Sequence, residues 1–468
     1  MAAESQPQPP ATHFRRVDES RGNGRRLALI LLVAFVWRVA SLFDPPWVND
    51  EGTYFAVGQA MAHGYRLYND VWENKPPLIY LLYTAVYHLV GPSLLTIRII
   101  ATLTALLLVL LTYQLARVWT HSWPALAAAT LVGLLFGVPF LEGTTANAEI
   151  FLTAASAGAV LCVMRLRRGA LGGILMGIAI FFKAVAGFDA LVLALLIMRE
   201  RRDALPSYIT GIALTTVAIL VPSALNGILP AMLDDAFLYD VGYVGRMNGL
   251  GVPWLLAAKV TLLLVLTVRL RRAPFPVLWL LYALAGALVS GRVFGHYLIQ
   301  CMVPLCLCVA LLIQHRESLG RRITLLLPPV FLGLALLSAL IGSLLAMSGH
   351  ESILARRLSW YTNFVRYAAG GESQVSYRNG VDDHVSRNLR IAAELRTLPA
   401  GKVVVWGNTP WVYVLSGRLP ATPYTSSLRD PQVPGETQTL RRAVDHSSAR
   451  EIVVIHPPAP SLGGAVMS

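Results

Sequence analysis

The sequence predicts an all-α polytopic membrane protein with about eleven transmembrane helices and a small C-terminal α/β domain on the outer face. Three observations predict it. Of 468 residues, 55% are hydrophobic and 14% charged, with mean hydropathy +0.57, far too apolar for a soluble chain of this size. The basic residues gather in clusters at the ends of apolar runs. After Gly349 the long apolar runs give way to short strand- and helix-like segments.

Residues 1–24, rich in Pro, Gln and charge, read as a disordered cytoplasmic N-terminus. Arg25-Arg26 then precedes an apolar run without a small-residue cleavage site, so that run reads as an anchor. Residues 25–348 form the expected transmembrane domain, with a first outer loop at 44–94. Span one is Leu27–Phe43. Within the loop an amphipathic helix is expected at Thr53–Gly64. Pro76–Val90 follows, an apolar run of about 22 Å as a helix, short of a hydrocarbon core of about 30 Å. It reads as interfacial or re-entrant.

Further spans are expected at Leu95–Ala116, Trp123–Leu141, Glu149–Met164, Leu171–Lys183, Ala186–Met198 and Pro206–Ile228. Four more fall at Pro253–Val268, Phe275–Ser290, Tyr297–Ile313 and Ile323–Met347. Arginine clusters such as Arg165/Arg167/Arg168, Arg199/Arg201/Arg202 and Arg269/Arg271/Arg272 mark cytoplasmic ends. The odd span number leaves 349–468 outside. Leu171–Met198 is too short for two full spans and is interrupted by Lys183, Gly187 and Asp189. Two half-length helices meeting at mid-depth are expected there, lining a cavity because freed backbone groups need partners. A Lys183–Asp189 pair is expected within that hairpin. In the outer domain, 403–406 and 452–455 read as buried strands, and Arg387–Leu398 and Glu436–Asp445 as helices.

The net charge of +13 is spread over cytoplasmic loop ends, which argues against a nucleic-acid partner. The cysteines Cys162, Cys301, Cys306 and Cys308 all lie in apolar runs and read as packing thiols. Arginine far outnumbers lysine, which points to a GC-rich bacterial genome and so to a bacterial inner membrane.

The outer side, by contrast, collects Asp50, Glu51, Lys75, Glu149, Lys183, Arg292 and His296. Each has a bland reading: a solvated acidic cap at Asp50-Glu51, a snorkelling Lys75, a dipole-complementing Glu149, a charged loop at Arg292 and His296. Together they place acids that can serve as bases beside cations that can hold an anion, all at one interface. A carboxylate can take a proton from a hydroxyl, and cations stabilise a departing phosphate. If Arg292 and His296 share a helix face, they can grip one phosphate together. A lipid-borne phosphate would have to enter sideways from the bilayer. Sugar transfer from a polyprenyl phosphate to an acceptor hydroxyl satisfies these demands. A transporter or flippase of lipid-linked sugars is the main alternative, motivated by the broken hairpin; no internal repeat supports it. An outer binding module on a membrane anchor would not need so many spans.

The same residues carry a family resemblance. Asp50-Glu51, Lys75-Pro76-Pro77-Leu78, Glu149 opening a span, Phe182-Lys183 and Arg292…His296-Tyr297 resemble the membrane glycosyltransferases of the GT-C fold. The closest branch holds the protein O-mannosyltransferases, lipid A aminoarabinose transferases and Rgt-type transferases (glycosyltransferase family 39-like). Val405-Trp406-Gly407 and Leu415-Ser416-Gly417-Arg418 resemble bacterial members. The resemblance implies an inverting transferase with Asp50 as base, Glu51 as its neighbour, and Glu149 helping with acceptor or metal. Lys75 would bind the donor phosphate. It leaves open a divalent cation, and glycan, lipid or protein acceptors. Asn74 stands where some members carry Glu, with Glu73 displaced by one position.

Overall fold

The computed structural model describes residues 12–239, 252–290, 294–315, 359–426 and 436–454. The membrane part comprises α1 (Thr12–Leu42), α4 (Leu94–Trp119), α5 (Ser122–Leu135), α6 (Ala148–Met164), α7 (Gly169–Phe182), α8 (Gly187–Glu200) and α9 (Leu205–Leu225). It continues, after a short α10 (Leu229–Leu233), with α11 (Val252–Arg269), α12 (Phe275–Leu288) and α13 (Ile299–His315). The outer loop adds α2 (Asn49–Ala62) and α3 (Leu78–Val90). Every span expected within the described residues is a helix; Ile323–Met347 lies outside them. Among the described residues three helices, Leu94–Trp119, Arg202–Leu225 and Gly295–His315, are long and apolar enough by themselves to cross a membrane.

Three expectations are corrected. Helix α1 begins at Thr12, inside the segment expected to be disordered. No proline follows Pro9-Pro10 in that stretch, so the anchor helix extends back through its arginines. Helix α2 is not amphipathic: Glu51–Ala60 are all buried. Helix α3 covers one side through contacts such as Phe55–Tyr83 (4.6 Å between ring centroids). The outer domain covers another, where Trp411 Nε1 donates to the Val48 carbonyl (2.8 Å) and Gln59 Nε2 to that of Arg418 (3.0 Å). Lys183 and Asp189 do not pair. A 3₁₀ turn at Ala184–Ala186 separates them, and Asp189 accepts from Trp279 Nε1 (3.0 Å).

The break between α7 and α8 falls at Lys183, whose backbone is extended. What holds α7 is its small-residue stripe. Gly169, Gly173 and Gly177 recur every four residues, on one helical face, against Ser207, Gly211 and Thr215 of α9. A Cβ on Gly173 would lie 2.0 Å from the Tyr208 carbonyl oxygen, and one on Gly211 would lie 2.1 Å from that of Ala170. Within a bilayer, apolar burial gives little drive for helix association, so close backbone approach and dispersion supply it. Gly211→Leu should therefore wedge α7 from α9 and cost about 1–3 kcal/mol, seen as a lower unfolding temperature in detergent.

The C-terminal domain has α14 (Trp360–Ala368), α15 (Gln374–Val381), α16 (His384–Thr397), α17 (Trp411–Ser416) and α18 (Glu436–Asp445) with a parallel pair, β1 (Val403–Trp406) and β2 (Glu451–Val454). Strand β1 is buried throughout, but β2 is not. Its Ile452 and Val454 are exposed, because among the described residues it has one neighbouring strand and no second layer. The domain is fastened to the exit of α1, where Asp44 accepts from Trp47 (2.8 Å) and from Trp360 (2.9 Å).

Candidate active site

Asp50 and Glu51 occupy the first turn of α2. Consecutive helical residues point about 100° apart, and the structure uses that divergence. The Asp50 side chain is 38% exposed, while that of Glu51 is fully buried. Glu51 Oε2 accepts from Arg98 Nη2 (2.8 Å) and Oε1 from the Ala146 backbone N–H (2.9 Å). Arg98, equally buried, also donates to the carbonyls of Ser41, Asp44 and Pro45. This pair ties together the exit of α1, the start of α2, α4 and the approach to α6. Of the two acids expected at the reaction, the structure brings Asp50 to the site and sets Glu51 into the framework behind it.

Glu149 lies in the first turn of α6, its side chain 2% exposed, and its Oε1 accepts from Lys183 Nζ. Lys183 is also held over the Tyr297 ring, 4.1 Å from its centroid. His296 sits in a 3₁₀ turn, Gly295–Leu298, and faces three carboxylates. Its Nδ1 lies 2.7 Å from Glu142 Oε2, its Nε2 3.8 Å from Asp50 Oδ2 and 3.9 Å from Glu149 Oε1. The two longer distances exceed a hydrogen bond, so His296 is fixed by Glu142 and turns its other nitrogen towards Asp50 and Glu149. Arg292 lies outside the described residues.

Glu142 was not among the expected site residues. It follows the 3₁₀ turn Pro139–Leu141 with φ of 52°, a left-handed conformation that costs energy for a residue with a Cβ. Two devices hold the turn there. Buried Arg38 donates to the carbonyls of Phe136 and Gly143, and Gly295 packs so closely that a Cβ would meet the Phe140 carbonyl oxygen at 2.1 Å. The sequence signal was faint: an acid before a glycine, on the outer side, between two apolar runs.

Lys75 Nζ lies 3.6 Å from Glu73 Oε2 and 5.2 Å from the Tyr54 ring centroid. Glu73 in turn accepts from Tyr80 Oη, so the displaced glutamate does reach the site lysine. Tyr68, buried and at φ of 69°, donates its hydroxyl to the Lys75 carbonyl (2.8 Å) and pins that backbone. Burial pushes the Asp50 carboxyl up, but Lys75, His296 and Lys183, with the Tyr54 hydroxyl, outweigh it and hold Asp50 below its ordinary value. Burial likewise opposes the Lys75 charge, and Glu73, Asp50, Tyr297 and Glu149 more than reverse it. At neutral pH the site therefore presents an ionised, accessible carboxylate beside fixed cations. It suits deprotonation of a hydroxyl next to a bound anion.

Known proteins resemble this chain in one segment and in fold. Residues 74–225, which contain Lys75, Glu142, Glu149 and Lys183, match the family model of the dolichyl-phosphate-mannose-protein mannosyltransferases. The fold is similar to that of ArnT from Cupriavidus metallidurans bound to undecaprenyl phosphate (TM-score 0.56, 17% identity, covering 91% of this chain and 89% of that one). The apo state of the same protein is similar at TM-score 0.54 and 16% identity, over 89% and 88% of the two chains. No curated protein matches by sequence. The chain thus has the ArnT fold along nearly its whole length, and the segment that matches the mannosyltransferase family model carries Lys75, Glu142, Glu149 and Lys183.

Proposed function

We propose that the protein moves a sugar from a polyprenyl-phosphate donor to an acceptor hydroxyl, with inversion, on the extracytoplasmic face of a bacterial inner membrane. The observation that carries this reading is Asp50. It is an accessible carboxylate kept ionised by cations, whereas Glu51 is consumed by Arg98 and one oxygen of Glu149 by Lys183. Asp50 removes the proton of the acceptor hydroxyl as that oxygen bonds to the anomeric carbon. The bond from that carbon to the phosphate oxygen breaks, its electron pair leaves with the polyprenyl phosphate, and the proton ends on Asp50. Lys75 and His296, with Arg292, hold the phosphate as its charge grows. Undecaprenyl phosphate in the similarly folded ArnT supports a donor of this class. The acceptor is a glycan, lipid or protein hydroxyl. The basic clusters support a cytoplasmic N-terminus and an extracytoplasmic C-terminus.

The direct test supplies purified protein in nanodiscs with labelled polyprenyl-phosphate sugars and a membrane extract as acceptor. Label should pass to the acceptor. Donor binding without transfer, across varied acceptors and metal ions, would favour a flippase instead. Lys75→Ala should raise the donor KM about tenfold to a hundredfold, the scale of a hydrogen bond to a charged group. Its pH profile should change too. Because Lys75 is the foremost of the charges lowering Asp50, activity should be lost on acidification only below the ordinary carboxylate range, and the variant's acid limb should lie at higher pH. Superimposable limbs would refute the coupling.

A further inference from the structure

The approach to α6 carries an excess of buried polarity that nothing in the fold consumes. Thr144, Asn147 and Glu149 are 1%, 0% and 2% exposed. The Thr144 hydroxyl, both Asn147 side-chain atoms and Glu149 Oε2 have no hydrogen-bond partner. Four orphaned atoms within six residues are a heavy local burden, each costing about 1–3 kcal/mol when buried unmet. Buried polar groups are ordinarily satisfied, so such a group needs an explanation. Neighbouring groups are tied down: the Ala146 N–H reaches Glu51, its carbonyl accepts from Tyr83 Oη (3.0 Å), and the Thr145 hydroxyl and N–H both donate to the Glu142 carbonyl. The framework is thus pinned around a set of buried polar atoms left unmet, one of them on the carboxylate that His296 Nε2 faces.

We propose that Thr144, Asn147 and Glu149 Oε2 form the subsite that reads the ring hydroxyls of the transferred sugar, and that this sugar is neutral. The inference rests on the transferase reading above. The chemistry is complementary. A carboxylate oxygen only accepts, a carboxamide offers two donors and one acceptor, and a hydroxyl does both. One ring hydroxyl can donate to Glu149 Oε2 while accepting from Asn147 Nδ2, and its neighbour can engage Asn147 Oδ1 or Thr144. The charge argues for neutrality. Glu149 already carries the Lys183 ammonium on Oε1, and Lys183 is fixed against Tyr297. A cationic amino sugar would therefore meet a neutralised acid with Lys183 at its side, and repulsion would outweigh what Glu149 offers. A site whose buried polar groups await a substrate hydroxyl also rejects an analogue lacking it, by far more than an apolar pocket rejects a missing methylene.

The test uses the full chain in nanodiscs and compares binding of bare undecaprenyl phosphate, its neutral hexose and pentose derivatives, and the matching deoxy and amino sugars. Wild-type protein should bind one neutral derivative at least tenfold more tightly than the bare lipid, its deoxy form or its amino form. Asn147→Leu, matched in branching though bulkier, should erase that preference, keep bare-lipid affinity, and unfold near the wild-type temperature or above it because it removes buried unmet polarity. A structural asparagine would give the opposite: a lower unfolding temperature with sugar preference intact, which would overturn the proposal. Preference for the amino sugar, or no sugar-dependent binding, would overturn it as well. Sugar-dependent binding that never leads to transfer would uphold the subsite while removing the transferase reading.

Discussion

Asp50→Asn is expected to lower kcat by about 10²–10⁴, the usual contribution of a positioned general base, while donor binding changes little. The carboxamide keeps the size of the carboxylate and the first turn of α2, but it cannot accept the acceptor's proton. Glu51 cannot substitute for it. It is fully buried, paired to Arg98, and bonded to the Ala146 N–H. Glu149 cannot easily substitute either, since Lys183 occupies one oxygen and its side chain is 2% exposed. Single-turnover transfer with bound donor isolates the chemical step. Near wild-type rates there would remove Asp50 from the base role, and loss of donor affinity alone would reassign it to binding.

Arg98→Met is expected to destabilise the protein by about 3–5 kcal/mol, because it strands the Glu51 charge in the interior. The same change also frees the carbonyls of Ser41, Asp44 and Pro45. The double variant Arg98→Met/Glu51→Met should recover much of that loss, since an apolar pair of similar volume avoids the stranded ion. Activity should not recover in step. Glu51 anchors the first turn of α2 to Ala146, so without it Asp50 loses its fixed relation to α6 and His296. Thermal unfolding in detergent, set against single-turnover rates, separates the two effects. A double variant as active as wild type would show that the pair supplies stability and nothing to alignment.

The pH dependence follows from the same charges. Asp50 is depressed, so the stabilisation it draws from the cations is present at neutral pH and persists above its ordinary unfolded value. It is lost as pH falls through the lowered folded value.

Much of the fold was legible because hydropathy and arginine placement report on one dimension, position along the membrane normal. The helices within the described residues, the break at Lys183 and the strands β1 and β2 are all local patterns of apolar runs, punctuation and charge. The α2 helix was misjudged for the complementary reason: its burial comes from Trp411 and Tyr83, which arrive from distant parts of the chain. The sequence likewise named Asp50, Lys75, Glu149 and His296, which the structure brings together. It could not divide labour within Asp50-Glu51, since adjacent acids look equivalent until Arg98 takes one of them. Nor could it find Glu142, whose place depends on a left-handed turn, the carbonyls gripped by Arg38 and the close approach of Gly295. Composition and periodicity thus determine the membrane-embedded helical class, because it follows from the solvent each segment must match. Which carboxylate is free, which is neutralised and which polar atoms stay open is decided by contacts between residues far apart in the chain, and only the tertiary structure sets those.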